Sequence, residues 1–220
     1  MQNETTASKT RLAMIFGAAL ASALCGVWLA SKWSLSLQAP RASLALSAST
    51  LIEPAKPLPA FSLIDHNGSV FDNARLANRW SFLFFGFTHC PGPCPTTLFM
   101  LNGVSRALES LPERQRPQIL FISVDAKRDT PEVMKSYVLG FNPTFVGVAG
   151  KQASLDALTA ALGVPSEILP AQSGDNYMVD HSLAILLTDP HGRLRATFTP
   201  PHDAAAIAKD YQAVIAHEGR

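Results

Sequence analysis

Cys90 and Cys94, two thiols four positions apart, are the side chains in this sequence best suited to chemistry. They lie in the run Phe84-Phe85-Gly86-Phe87-Thr88-His89-Cys90-Pro91-Gly92-Pro93-Cys94-Pro95, where an apolar stretch gives way to a prolyl turn and then to a helical pattern. Unpaired amides and the dipole at a helix start favour a thiolate, so the position predicts two thiols that ionise easily. Such a pair can close a disulfide or grip one soft metal ion. If the spacing is one helical turn, the Cα atoms stand roughly 6 Å apart, within disulfide range. Pro91 and Pro93 stiffen the connecting backbone and remove donors from it. A purely structural bond across so short a loop would constrain the unfolded chain little, which favours a reactive pair.

The elements that must position this pair follow from periodicity and turn chemistry. Phe61 to Ile64 and Val70-Phe71, joined through Asn67-Gly68, read as a hairpin. Trp80 to Phe87 is continuously apolar, as expected of a central strand buried on both faces. A helix is expected from about Pro95 to Leu111, with Leu98, Leu101, Val104 and Leu108 at helical spacing. Gln118 to Val124 reads as a second buried strand, and Thr130-Pro131 as the cap and first turn of a helix stopping at Gly140. Thr144 to Val148 is a short strand, Gln152 to Leu162 a helix ending at Gly163, and Val164 to Asn176 a long loop. Leu183 to Thr188 and Leu194 to Phe198 form a second hairpin, and Asp203 to His217 a final helix. This order predicts an α/β fold, a thioredoxin-like sandwich with an added N-terminal β-hairpin.

The chain has 220 residues, 47% hydrophobic and 16% charged, with a formal charge of +1, which suits one domain plus an appendage. No long basic stripe is present, so nucleic acid is not expected as a partner. Leu12 to Ala30 carries no charge, and as a helix would span roughly 28 Å, close to the hydrocarbon core of a bilayer. Lys9 and Arg11 precede it and Trp28 and Trp33 mark its far end. The stretch is longer than the apolar part of a secretory signal, which favours a single transmembrane anchor over a cleaved leader. Cys25 within it reads as a buried thiol, since bulky Leu24 does not suit a lipid-attachment site. The expected organisation is a cytoplasmic tail at 1–11, the anchor at 12–30, a Ser-, Ala- and Pro-rich flexible tether at 31–56, and the folded domain at 57–220.

Three motifs in order, Phe85-Gly86-Phe87-Thr88-His89-Cys90-x-x-x-Cys94-Pro95, Ser123-Val124-Asp125-x-x-Arg128-Asp129-Thr130-Pro131 and Val179-Asp180-His181-Ser182, resemble the Sco/SenC family. Its members are membrane-tethered proteins that deliver copper during assembly of the binuclear copper site of cytochrome c oxidase. The likeness runs from about Pro57 to Phe198. It implies Cys90, Cys94 and His181 as ligands of copper, as Cu(I) or Cu(II), with Cys90 and Cys94 also able to form a redox-active disulfide. That donor set is chemically apt: thiolates suit Cu(I), and imidazole also accepts Cu(II).

Asp180 and Asp125 are then expected near the ligands, orienting His181 or polarising the site. His89 matches the family pattern but is not a usual ligand there; Arg128-Asp129 reads as a local surface pair, and His66, His191, His202 and His217 as solvated. The implied partners are the copper-receiving subunit of cytochrome c oxidase and a thiol reductant or copper donor. The implied location is the inner membrane, with the C-terminal domain in the periplasm or an equivalent space. The loop at 164–176 is expected to move and carry His181. One departure stands out: many members carry an Asp directly after the Cys-Pro pair, where this chain has Gly92-Pro93. A thiol–disulfide oxidoreductase acting on the oxidase subunit is the rival reading. It needs the cysteines but not His181, and it is disfavoured by the three-residue spacer and the lack of the thioredoxin cis-proline beside the site.

Overall fold

A computed structural model describes residues 20–30, 44–170 and 177–218. The chain divides into two units, Met1–Ser43 and Leu44–Arg220. In the first, residues 20–30 form helix α1, with Leu24, Cys25 and Trp28 exposed on it. No helix among the described residues is long and apolar enough to cross a membrane, and residues 12–19 of the expected anchor lie outside them.

The second unit is built on an eight-stranded sheet. Its strands are β1 (Ser49–Pro57), β2 (Ser62–Asp65), β3 (Val70–Asp72), β4 (Ser81–Gly86), β5 (Gln118–Ser123), β6 (Val146–Ala149), β9 (Ile185–Thr188) and β10 (Arg193–Phe198). Their spatial order is β1-β10-β9-β4-β5-β6-β2-β3. Strands β4, β5 and β6 run parallel, with β9 antiparallel to β4. Helices α2 (Pro93–Ala107), α3 (Pro131–Leu139), α4 (Gln152–Leu162) and α5 (Ala204–Glu218) complete a thioredoxin-like sandwich, and the hairpin β2–β3 is added beside β6. Every residue of β4 is buried, as its unbroken apolar run requires. Phe82 packs on Phe198 and Tyr211, and Phe84 on Phe121.

Local signals act where the sequence places them. Asp65 Oδ1 accepts the Asn67 and Ser69 N–H groups at 2.9 Å, closing the hairpin with Gly68 at φ 82°. Thr130 caps α3, with Pro131 in its first turn. Gly163 ends α4 in the left-handed region at φ 70°.

Three expectations are corrected. The tether expected to reach residue 56 ends earlier, because residues 49–57 form β1 against β10. Pro54 and Pro57 are tolerated there because β1 is an edge strand with a register shift between Leu51 and Lys56. The long loop contains order: β7 (Ser166–Ile168) pairs antiparallel with β8 (Val179–His181), and residues 171–176 lie outside the described residues. His181 therefore ends a strand of its own small ladder rather than preceding a longer β9. Finally, α2 begins at Pro93, so Cys94 lies inside the helix and Cys90 ahead of it.

The segment entering β1 is held by one carboxylate. Asp210 of α5 accepts the N–H groups of Ser47, Ala48 and Ser49 at 3.0, 2.7 and 2.9 Å and the Ser49 hydroxyl at 2.9 Å. Burial pushes its pKa up, but these donors outweigh burial and hold it below the ordinary 3.8. Asp210→Ala should cost about 1 kcal/mol or more in urea unfolding at neutral pH, because several partly buried donors lose their charged, buried acceptor. A lowered folded pKa means that the contribution persists at neutral pH and is lost only as the pH falls through that value. The difference between parent and variant should therefore close only below about pH 4. Equal stability at neutral pH would refute the clamp.

Candidate metal centre

Strand β4 delivers the chain to the site, and a turn then redirects it. After Gly86, the Cys90 N–H donates to the Phe87 carbonyl at 3.3 Å, and α2 starts behind Gly92. Thr96 steadies that start, donating from its hydroxyl to the Gly92 carbonyl at 2.9 Å. The Cys94 N–H, one of the first-turn amides left without a helical acceptor, donates to Cys90 Sγ at 3.4 Å. Both thiols are free and buried, Cys94 completely and Cys90 with 7% exposure.

Gly86 makes the close approach possible. A Cβ at that position would fall 2.7 Å from Cys94 Sγ and 2.7 Å from the Phe121 ring. A Cβ at Gly92, by contrast, would meet nothing within 4 Å. The absence of an acidic side chain there is not forced by space.

His181 reaches the sulfurs from β8. Its Nδ1 lies 3.0 Å from the Ser182 carbonyl, which can only accept, so Nδ1 carries the proton and Nε2 presents its lone pair. Nε2 stands 3.3 Å from Cys94 Sγ. The ring sits edge-on to Phe87, centroids 5.7 Å apart, and beside Phe84 at 6.3 Å. The candidate ligand atoms of Cys90, Cys94 and His181 all lie within 4.8 Å of one another.

Burial sets the protonation of this cluster. It lowers the His181 pKa below the ordinary 6.5, against smaller opposing effects of the Ser182 carbonyl and the Asp180 charge. It also pushes the Cys94 thiol far above its usual range, overriding the backbone hydrogen bond at Phe87. Easy ionisation, expected of both thiols from a helix start, is thus wrong for Cys94: loss of water outweighs the helix terminus. The metal-free pair is a neutral thiol donating to a neutral imidazole. A soft cation that displaces the Cys94 proton would find two sulfurs and one nitrogen already converged.

The remaining expected residues divide. Asp180 is exposed on β8; the Ser182 carbonyl, not Asp180, orients the His181 ring. Asp125 is buried, but its carboxylate is taken up by the Tyr177 hydroxyl at 2.5 Å and by Arg128. His89 is exposed and its Nδ1 meets the Thr88 hydroxyl at 3.1 Å, outside the cluster. The surface-pair reading of Arg128-Asp129 is overturned. Asp129 is buried and accepts from Thr88 and Ser123, while the Arg128 guanidinium lies 3.6 Å from the Tyr177 ring centre. Two histidines read as solvated are structural: His66 Nδ1 accepts the Gly147 N–H at 2.9 Å, and His202 Nε2 meets the Leu183 carbonyl at 2.8 Å. Sequence reasoning missed Gly86, Thr88, Asp129 and Tyr177 as residues around the cluster. The first three lay inside quoted motifs, but their burial and partners have no local signature.

The class defined by this fold and site is a thioredoxin-like domain whose CxxxC turn meets a distant histidine, a candidate thiol–imidazole metal centre. Within that class, the SCO1/SenC family pattern matches residues 50–216, and the chain belongs to that family. The mitochondrial SCO2 homologue of Bos taurus is 35% identical over 189 residues, covering 86% of this chain and 71% of its own length. The SCO2-like protein RP587 of Rickettsia prowazekii is 37% identical over 166 residues, covering 74% of this chain and 80% of its own. Among solved structures, copper-bound ScoI of Bradyrhizobium japonicum is 34% identical with a TM-score of 0.64, covering 71% of this chain and 98% of that one. Apo Sco1 of Thermus thermophilus is 32% identical with a TM-score of 0.68, covering 79% and 99%.

The space at Gly86 gives a direct test. Gly86→Ala should destabilise the domain by about 1–3 kcal/mol through overpacking, and should raise the reactivity of Cys94 toward a thiol reagent by displacing its sulfur. Parental melting and parental Cys94 labelling together would show that the turn does not need this glycine.

Proposed function

We propose that this chain is a copper metallochaperone that binds one copper ion through Cys90, Cys94 and His181 and delivers it during assembly of the copper site of cytochrome c oxidase. The observation that carries the reading is the convergence of two sulfurs and an imidazole lone pair within 4.8 Å. Two thiolates favour Cu(I), and the imidazole nitrogen lets the same site accept Cu(II). Copper bound to the similar Bradyrhizobium japonicum ScoI supports the choice of metal.

Transfer would proceed by ligand exchange, donor atoms of the copper-receiving oxidase subunit replacing Cys90, Cys94 and His181 in turn. Both thiols must be reduced to bind, so a thiol reductant or a reduced copper donor acts before loading, and the Cys90–Cys94 disulfide is the inactive oxidised form. The uncharged stretch from Leu12 to Ala30 anchors the chain in the inner membrane, with residues 31–43 as the tether and the folded domain on the periplasmic side. Asp180, exposed on β8 beside His181, would contribute a longer-range electrostatic attraction for a cation rather than a ligand.

Full-length protein in detergent under reducing conditions should bind one copper per chain. His181→Ala should weaken binding by more than about 10- to 100-fold, the scale reached when a residue that merely orients a ligand is lost, and Cys90→Ser/Cys94→Ser should abolish it. Equal retention by parent and His181→Ala, measured by competition with a chromogenic chelator, would remove His181 from the site.

Loading also has a defined pH dependence. The raised Cys94 pKa keeps this thiol protonated at neutral pH, so metal binding releases its proton. Copper affinity should therefore fall at least about tenfold per pH unit between about pH 8 and 7. The lowered His181 pKa delays competition by imidazole protonation until below 6.5. A pH-independent affinity across the neutral range would contradict the protonated resting state.

A further inference from the structure

The segment between β5 and α3 touches both halves of the sulfur–imidazole cluster without supplying an atom to it. On the cysteine side, the buried Asp129 carboxylate accepts the Thr88 N–H at 3.2 Å and the Thr88 hydroxyl at 2.6 Å. Thr88 stands two residues before Cys90. On the histidine side, Arg128 Nη1 donates to the Tyr177 carbonyl at 2.9 Å, and the guanidinium stacks on the Tyr177 ring. The Tyr177 hydroxyl donates to Asp125, whose other carboxylate oxygen takes the Arg128 Nε. Tyr177 stands two residues before β8, the strand that ends in His181.

The segment is closed on itself. The Asp129 N–H donates to the Asp125 carbonyl at 3.0 Å, the Asp125 N–H to Ser123 Oγ at 2.9 Å, and the Ser123 hydroxyl to Asp129 at 2.8 Å. A continuous chain of contacts thus runs from Thr88 through Asp129, Ser123, Asp125 and Arg128 to Tyr177.

Two features make this more than packing. First, among the described residues β8 pairs with β7 in a separate two-stranded sheet, so the backbone ladder of the main sheet does not set the position of His181. The pairing of His181 with Ser166 holds the strand locally, and side chains tie that small ladder to the cysteine half of the site. Second, burying two carboxylates and most of a guanidinium carries a desolvation cost that apolar side chains would avoid, while fixed hydrogen-bond directions specify one geometry.

We infer that residues 125–129 form a bridge that sets the separation between the Cys90 turn and the His181 strand, with Asp129 and Tyr177 as positioning residues at its two ends. The inference rests on the copper reading for its consequence, but it makes a separate statement about the metal-free protein. Because the contacts act in series, cutting either end releases the spacing, and cutting the second end adds nothing.

The experiment uses the full chain in detergent with two cuts, each made alone (the single variants) and combined (the double variant). Asp129→Asn cuts the cysteine end. Asp125→Asn/Arg128→Leu/Tyr177→Phe cuts the histidine end, removing the hydroxyl, carbonyl and stacking contacts together without leaving a buried carboxylate unpaired. In metal-free protein, nitrogen-15 NMR of the His181 ring reads the Nδ1-protonated tautomer and the Nε2 contact with Cys94. Each single variant should shift and broaden the Nε2 resonance while the circular dichroism spectrum stays parental. Cu(I) affinity, by chelator competition, should fall about 10- to 100-fold in each single variant. The double variant should fall no further than the weaker of the two. Losses that multiply, or a parental His181 resonance with parental affinity in both single variants, would overturn the bridge. If Asp129→Asn does not fold, Thr88→Val cuts the same end, and Thr88→Ser should restore the parental resonance. If the parent binds no copper, the copper reading fails, and the metal-free His181 resonance still decides whether the bridge exists.

Discussion

The contact between Cys94 Sγ and His181 Nε2, 3.3 Å long, is the constraint on which the rest of the site depends. It joins residues 87 positions apart, pairing a fully buried thiol with a partly buried imidazole. Burial raises one pKa and lowers the other, so the proton rests on sulfur and the lone pair on nitrogen. A soft cation that displaced that proton would find its three donor atoms within 4.8 Å of one another. The three donor atoms are thus brought together by the fold itself.

Several parts of the fold serve that contact. The buried strand β4 fixes the launch point of the cysteine turn, and Gly86 at its end leaves room for the sulfur. The Ser182 carbonyl fixes the tautomer, and Phe84 and Phe87 pack edge-on against the ring. The sheet alone does not hold the imidazole, since its strand belongs to a separate small ladder.

Much of this was legible in the sequence, and the limits have physical causes. Strand β4 was readable because a central strand must be apolar throughout, and the ends of α3 and α4 because Thr130 and Gly163 act within one turn of their own backbone. Cys90 and Cys94 announced themselves by spacing. His181 did not: no local pattern marks it, and only the order of three motifs brought it forward. Strand β1 was hidden by its prolines, which an edge position tolerates, and by a clamp from Asp210 more than 160 residues away. The high pKa of Cys94 and the burial of Asp129 arise from surroundings assembled by the whole fold, which neighbours in sequence do not encode.

Gly92 gives the site an electrical character of its own. Nothing crowds the position, so its lack of a carboxylate changes charge without changing shape. A centre made of Cu(I), two thiolates and a neutral imidazole carries one net negative charge, and one holding Cu(II) carries none. An acidic neighbour would make each state one unit more negative. On the proposed copper reading, the charge of this face would then change with the oxidation state of the bound ion, added to the fixed contribution of Asp180, so oxidation of the metal would alter attraction as well as coordination.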